Sequence, residues 1–165
     1  MYFTAGLGLE KVLLTSENET LAGQYDGISY HIDGYEAEND LDIKQDATIT
    51  SIVELKTTRM RPLATPEAAP KGWFKQIKGY CKTQGVLKAR LIIFYIITPE
   101  LQAWDLEFTQ DEIDENWQWL LQRKQVWESS DSIAPRQFTY NMEWECKECQ
   151  YRLICDAKDS VERSR

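Results

Sequence analysis

The sequence contains little of several residue types: one histidine, five prolines and eight glycines in 165 residues. So few prolines and glycines exclude a collagen-like chain or one made mostly of linkers. The longest apolar run, Leu91 to Ile97, is too short to cross a bilayer as a helix, and no basic segment followed by an apolar one opens the chain. We therefore expect no membrane partner and a cytoplasmic location.

Acidic residues outnumber basic ones, 27 to 19, which gives a net charge of −8. Such a balance normally disfavours a nucleic-acid partner. The charge is uneven, however, because the segment from Lys56 to Arg90 contains nine basic residues and the single acid Glu67. An acidic body with one basic region is expected of a protein that contacts phosphates only at a cleft.

Four lysines in the basic segment recur with helical spacing and share one helix face: Lys71, Lys75, Lys78 and Lys82. We call this set the lysine stripe. A lysine face on a helix is either a solubilising surface or a track for phosphates. We predict that the stripe binds DNA, and the solubilising interpretation stays open.

Hydrophobic periodicity predicts a mixed α/β fold with one core. Helices are expected at 4–14, 71–84 and 109–128, and strands at 25–35, 48–57, 90–98 and 102–108. Gly85 is expected to end the second helix, and Thr109 with Glu112 forms a capping box that begins the third. The third helix should turn an apolar stripe to the core: Ile113, Trp117, Leu120, Leu121 and Trp127.

The strongest chemical pattern is Glu54-Leu55-Lys56 on the second strand. Because successive side chains of a strand alternate, Glu54 and Lys56 share a face. If Asp33, near the end of the preceding strand, reaches the same place, two carboxylates and the Leu55 carbonyl make a Mg²⁺ or Mn²⁺ site that activates water. The alternative is an exposed strand face with Asp33 as a turn residue.

Gln76 and Tyr80 lie four positions apart and share a face of the second helix; alternatively, Tyr80 lies in the core and Gln76 at the surface. The order Asp33, Glu54-x-Lys56, Gln76-x-x-x-Tyr80 resembles that of the active-site motifs in RecB-type PD-(D/E)XK nucleases. The resemblance implies a restriction-endonuclease-like core, a mixed sheet flanked by helices. It also implies these catalytic residues: Asp33, Glu54, Lys56, Gln76 and Tyr80. Glu10, on the first expected helix, is a further candidate metal ligand.

Three of the four cysteines are close in sequence: Cys146, Cys149 and Cys155, with the spacing C-x2-C-x5-C. Thiolates this close typically bind an iron–sulfur cluster or Zn²⁺. One disulfide pair plus a spare buried thiol is the alternative. Cys81 is a candidate fourth ligand, and no cysteine precedes it.

Together with the nuclease motifs, these cysteines resemble those of the CRISPR-associated RecB-like exonucleases. The resemblance implies a nuclease core over 1–140 with a cysteine-cluster segment, 141–165, packed on it. It implies a [4Fe–4S] rather than a [2Fe–2S] cluster, with zinc as the alternative. The implied activity is Mg²⁺- or Mn²⁺-dependent exonuclease cleavage of DNA, single-stranded by expectation. The implied partner is the CRISPR adaptation integrase complex, and the sequence leaves open a homo-oligomer.

A second hypothesis is non-enzymatic. The family has a histidine on an early helix and an N-terminal cysteine ligand, whereas this chain has only His31 and no cysteine before Cys81. These departures favour a catalytically impaired homologue that binds nucleic acid or a partner protein and uses its cysteines as a structural metal knuckle.

Overall fold

The computed structural model describes residues 12–14, 22–37, 48–129 and 146–163. Its strands are β1 (Val12–Leu14), β2 (Ala22–Tyr25), β3 (Ile28–His31), β4 (Gly34–Ala37), β5 (Ile49–Thr58), β6 (Lys88–Tyr95) and β7 (Glu100–Glu107). Its helices are α1 (Lys71–Gln84), α2 (Gln110–Ser129) and α3 (Arg152–Arg163), and a 3₁₀ turn lies at Pro66–Ala68. Within these ranges, no helix is both long and apolar enough to cross a membrane.

Five strands form one mixed sheet in the order β1-β4-β5-β6-β7, and β2 and β3 form a separate hairpin. The pair β5–β6 is parallel, and the other pairs of the sheet are antiparallel. Parallel neighbours need a crossover, and α1 supplies it between β5 and β6. The predicted mixed α/β architecture is confirmed at this level.

The core lies between α1 and one face of the central strands. Ile52 of β5, Leu91 and Ile93 of β6, and Ile77 and Cys81 of α1 are all fully buried in one cluster. Because side chains alternate along β5, Glu54 and Lys56 lie on the same face as Ile52 and therefore beneath α1. The fold thus carries the charged pair to the edge of its own core.

The second predicted helix has the same bounds as α1. It follows Pro70 and ends at Gly85, whose φ of 67° is the left-handed conformation that glycine adopts without strain. The capping box is also confirmed: the Glu112 N–H donates to Thr109 Oγ1 at 3.2 Å, and the Thr109 N–H donates to Glu112 Oε2 at 3.0 Å. Local sequence signals were therefore sufficient to predict the bounds of α1 and the start of α2.

Three expectations are corrected. Residues 12–14, the end of the first predicted helix, pair with β4 as a strand. The segment expected as one strand at 25–35 contains β3 and the start of β4, separated by a break at 32–33. Ile96 and Ile97 lie in the turn between β6 and β7, 52% and 68% exposed, because the pairing of Tyr95 with Glu100 leaves residues 96–99 outside the ladder.

Trp127 also departs from expectation, since it is 59% exposed whereas Ile113 and Trp117 are buried. The helices run antiparallel, because Lys82 contacts Asp114 near the start of α2, whereas the earlier α1 residue Lys75 lies beside Trp119, further along α2. With 20 residues against 14, α2 extends about 9 Å beyond α1. Trp127 lies on this extension, where α1 no longer covers it.

The β2–β3 hairpin is held against α2 by its turn. Asp26 and Gly27 have φ of 50° and 71°, the geometry of a tight two-residue hairpin turn. Trp117 Nε1 donates to Asp26 Oδ2 at 2.9 Å, and Lys124 Nζ donates to the Asp26 carbonyl at 2.8 Å. Both contacts are made by α2, so the hairpin turn packs beside that helix.

Candidate active site

Glu54 and Lys56 form an ion pair on β5. Glu54 is only 1% exposed, and α1 crosses the strand above it. One carboxylate oxygen contacts the Lys56 ammonium, and the other, Oε2, is buried and accepts no hydrogen bond from any residue that the structure describes. A buried carboxylate oxygen without a partner is costly, so its position favours a ligand such as a cation there.

The environment of Glu54 raises its pKa from the ordinary 4.5 to about 6. Burial is the main cause, because desolvation disfavours the charged carboxylate. The nearby Lys56 ammonium opposes the increase, and the charge of Asp33 adds to it. Glu54 is therefore a carboxylate whose charge is incompletely compensated by the protein.

Asp33 reaches the same strand from the start of β4. Gly34 pairs with Val53, so Asp33 lies just beyond the paired stretch, beside Glu54 and Leu55. Its Oδ2 accepts a hydrogen bond from the Leu55 N–H at 3.0 Å. The predicted proximity of Asp33 to the Glu54 pair is thus observed, and the Asp33 carboxylate is held in place by the backbone.

A chain of hydrogen bonds joins Lys56 to α1. Lys56 Nζ donates to Gln76 Oε1 at 2.7 Å, and Gln76 Nε2 donates to the Tyr80 hydroxyl at 2.7 Å. Burial raises the pKa of Tyr80, and the charges of Glu54 and Asp33 add to this effect. Tyr80 is half-buried against the core and Gln76 is exposed, as the alternative interpretation expected, and the two side chains are also bonded to each other. Five side chains predicted from separate motifs therefore lie in one continuous group.

Two hard oxygen donors, Asp33 and Glu54, can contact a divalent cation here. Magnesium commonly uses one or two protein carboxylates and takes its other ligands from water and substrate phosphates. The pair fits that donor set, although the described part of the chain contains no group of three or more His, Cys, Asp or Glu residues able to enclose a metal. Glu10 lies outside the described residues.

The lysine stripe divides into two pairs. Lys78 Nζ contacts Glu112 Oε1 at 3.0 Å, and Lys82 Nζ contacts Asp114 Oδ1 at 2.7 Å, so both are ion-paired to α2. Lys75 Nζ instead lies 3.6 Å from the centre of the Trp119 ring, and Lys71 is exposed. The DNA-binding prediction for the stripe therefore depends mainly on Lys71 and Lys75.

The four cysteines are free thiols, so the alternative of one disulfide pair is not what the structure shows. Cys81 is fully buried, its Sγ is 3.8 Å from the Lys88 carbonyl oxygen, and burial raises its thiol pKa to about 12. Cys149 is exposed, Cys146 is half-buried before α3, and Cys155 is half-buried within it. Within the described ranges these thiols do not gather into a metal-binding group, and the cluster stays a prediction.

A groove beside the candidate site was not predicted from the sequence. It has a volume of about 310 Å³, lies between α1, α2 and the β2–β3 hairpin, and is lined in part by Tyr30, Trp119 and Tyr80. The signal available in the sequence was the two-residue offset of Trp119 from the core residue Trp117, which puts its ring on a different helix face.

Comparisons with known proteins do not give this chain a family. No family model matches the chain, and no curated protein matches it significantly. Four solved chains match it; one, described as "Crystal structure of SSO0001", is 18% identical with a TM-score of 0.46. The match covers 83% of this chain and 57% of that one, so the chain spans little more than half of its solved neighbour.

Proposed function

We propose that this chain is a metal-dependent nuclease that hydrolyses phosphodiester bonds of DNA, built on a PD-(D/E)XK core of the RecB-like type. The observation that carries the proposal is Lys56, whose ammonium contacts both Glu54 and Gln76. A lone Glu-x-Lys on a strand is common. It is uncommon for the Glu to be buried beside a second carboxylate and for the Lys to be bonded to a Gln–Tyr pair on the crossover helix.

Each side chain has a role that its position supports. Asp33 and Glu54 would hold Mg²⁺ or Mn²⁺, which supplies a Lewis acid for the phosphodiester and lowers the pKa of water. The Leu55 carbonyl is proposed as a third oxygen ligand. Lys56, beside Glu54, would orient the attacking water or take part in its deprotonation. Gln76 and Tyr80 would position the strand to be cleaved.

The proposal extends to the cysteines and to partners. Cys146, Cys149 and Cys155 are proposed to bind an iron–sulfur cluster, [4Fe–4S] before [2Fe–2S], or Zn²⁺. Their described arrangement does not form a ligand group, so we assign no catalytic step to a cluster. DNA is the proposed partner, with the CRISPR adaptation integrase complex proposed from the family resemblance alone.

A second candidate function is that of a DNA- or partner-binding module without catalysis. The observation in its favour is that only Asp33 and Glu54 supply carboxylates to the site, and no third His, Cys, Asp or Glu joins them among the described residues. The ion pair between Glu54 and Lys56 also favours the binding module, because a metal would have to compete with the Lys56 ammonium for the Glu54 carboxylate.

Cleavage of labelled DNA distinguishes the two candidates. The purified chain is incubated with single-stranded and duplex oligonucleotides in Mn²⁺, Mg²⁺ or EDTA. We expect metal-dependent cleavage that is abolished in Glu54→Ala and in Lys56→Ala. The exposed β7 residue Glu107 provides a matched control, and Glu107→Ala should cleave like the wild type. Binding without cleavage in any metal would reject the nuclease and favour the binding module.

A further inference from the structure

The groove beside the candidate site contains aromatic rings and a cation. Its lining includes Tyr30 of β3, Gly72, Lys75 and Tyr80 of α1, and Trp119 of α2. Acidic residues are absent from the described lining. A concave surface of this size, near the lower end of the range for small-ligand pockets, suits one nucleotide rather than a duplex.

The groove is continuous with the proposed catalytic residues. Gln76 and Tyr80 line it, and the same two side chains lead by hydrogen bonds to Lys56. A strand whose phosphate lies at Glu54 and Lys56 would therefore place a neighbouring nucleotide in the groove. This continuity links a binding surface to the site of cleavage.

Lys75 makes the groove suited to an anion. Its ammonium lies over the Trp119 ring and has no carboxylate partner among the residues described. Burial lowers the pKa of Lys75, and the nearby charges of Arg123 and Lys71 lower it further. A phosphate beside Lys75 would relieve this repulsion between like charges. Lys78 and Lys82 differ, because each is already paired with an acid of α2.

Small residues keep the groove open. Gly72 and Gly79 are the helix residues of its α1 wall that have no side chain. On the hairpin side, Gly23 lets Tyr30 lie across the neighbouring strand, since a Cβ on Gly23 would be 3.1 Å from the tyrosine hydroxyl. A side chain at position 23 would therefore press on the Tyr30 ring.

From this arrangement we infer that the groove binds one unpaired nucleotide of the DNA strand, with the base against the aromatic lining and a phosphate at Lys75. The inference rests on the proposed nuclease function and assigns to this groove the nucleotide next to the cleaved bond. Stacking on aromatic side chains recognises any base, so the groove selects for single strands without reading sequence.

The test compares affinities for two single-stranded oligonucleotides of equal length, oligo-dT and an abasic strand with the same phosphates, in EDTA to prevent cleavage. We expect the wild type to bind oligo-dT more tightly. Loss of one stacking contact in Tyr30→Ala should weaken oligo-dT binding by between about 5-fold and 150-fold, with little change for the abasic strand. Gly72→Leu, which puts a side chain on the α1 wall of the groove, should do the same.

Trp127→Ala removes an exposed aromatic residue that does not line the groove and should keep the wild-type ratio of affinities. Equal wild-type affinity for the two strands, or an unchanged ratio in both Tyr30→Ala and Gly72→Leu, would overturn the inference. The outcome is independent of the cleavage assay: DNA cleavage with equal affinities rejects the groove alone, whereas base-dependent binding without cleavage supports the groove and rejects the nuclease.

Discussion

Lys56 Nζ donates a hydrogen bond to Gln76 Oε1 at 2.7 Å, and this contact joins strand β5 to helix α1 inside the candidate site. Lys56 is also ion-paired with Glu54, so the amide of Gln76 fixes the direction from which the ammonium approaches the carboxylate. Gln76 in turn is held by the Tyr80 hydroxyl. The geometry of the lysine therefore depends on a residue twenty positions further along the chain.

The first prediction concerns that contact. Gln76→Leu keeps an aliphatic side chain on the helix but removes the acceptor for Lys56, so the ammonium can leave its place beside Glu54. Because positioned proton transfer contributes about 10²- to 10⁴-fold to rates, we expect cleavage to fall by at least about tenfold. Since Gln76 is exposed, thermal unfolding should show little change in stability.

Single-turnover cleavage measures the effect of Gln76→Leu on the rate, and Gln84→Leu on the same helix is the control. Cleavage at the wild-type rate in Gln76→Leu would exclude a positioning role.

The second prediction is a pH dependence of stability from Glu54. Its pKa in the folded chain, about 6, lies above the ordinary value of 4.5. As pH rises through this interval, the unfolded chain loses the Glu54 proton first, so ionisation favours unfolding. The free energy of unfolding should therefore contain a loss of about 2 kcal/mol between pH 4.5 and pH 7.

Glu54→Gln removes this titration. Urea unfolding of the metal-free protein should show the variant gaining stability relative to the wild type as pH rises, by about 2 kcal/mol over the same interval. Glu107→Gln, at an exposed position of β7, should follow the wild type. Mn²⁺ should stabilise the wild type at neutral pH and leave Glu54→Gln unaffected, since a bound ligand adds stability only to the state that binds it. A parallel pH profile for both proteins would contradict the raised pKa.

The contrast between Lys56 and the lysine stripe shows how far the sequence could predict this molecule. Helix α1 and the capping box of α2 depend on neighbouring residues, and spacing alone predicted them. The group of Asp33, Glu54 and Gln76 was predictable because its motifs have a known order in the resembling family. Burial of Glu54 was not, because it results from α1 crossing β5 after the loop of residues 59–70.

The pairing of Lys78 and Lys82 was unpredictable for the same reason. Helical spacing puts both lysines on one face, but it does not tell which element covers that face. Their partners, Glu112 and Asp114, are more than thirty positions away on α2. Even the packing of α2 on α1 involves a backbone acceptor, since Asn116 Nδ2 donates to the Lys75 carbonyl at 2.9 Å. A charge pattern thus predicted a surface that the tertiary structure partly neutralises.

The third prediction separates the two lysine pairs. Lys71→Gln with Lys75→Gln should weaken binding to single-stranded DNA and make the logarithm of affinity less dependent on salt, by a slope of about 1.4 for two lost phosphate contacts. Lys78→Gln with Lys82→Gln should change the slope less, because those ammonium groups already face carboxylates. Fluorescence anisotropy over a range of salt concentrations, in EDTA, measures both. Equal reductions of the salt slope in the two double variants would restore the whole stripe as the phosphate track.

The fourth prediction concerns the thiols. If Cys146, Cys149 and Cys155 bind a cluster or zinc, each Cys→Ser variant should lose metal after anaerobic purification. Cys81→Ala should retain it, because the Cys81 thiol is fully buried and its raised pKa disfavours the thiolate that a metal requires. Its cost should instead be a loss of stability of about 1 kcal/mol from the small cavity.

Metal analysis and visible absorption give the readout. A brown protein with iron and sulfide indicates an iron–sulfur cluster, whereas a colourless one with about one zinc per chain indicates a structural knuckle. Loss of metal in Cys81→Ala, in protein that still unfolds cooperatively, would make Cys81 the fourth ligand and require the chain near α1 to differ from the structure described. Full metal content in all three Cys→Ser variants would instead remove the cysteines from metal binding, and leave the Asp33–Glu54 pair as the metal site to be tested.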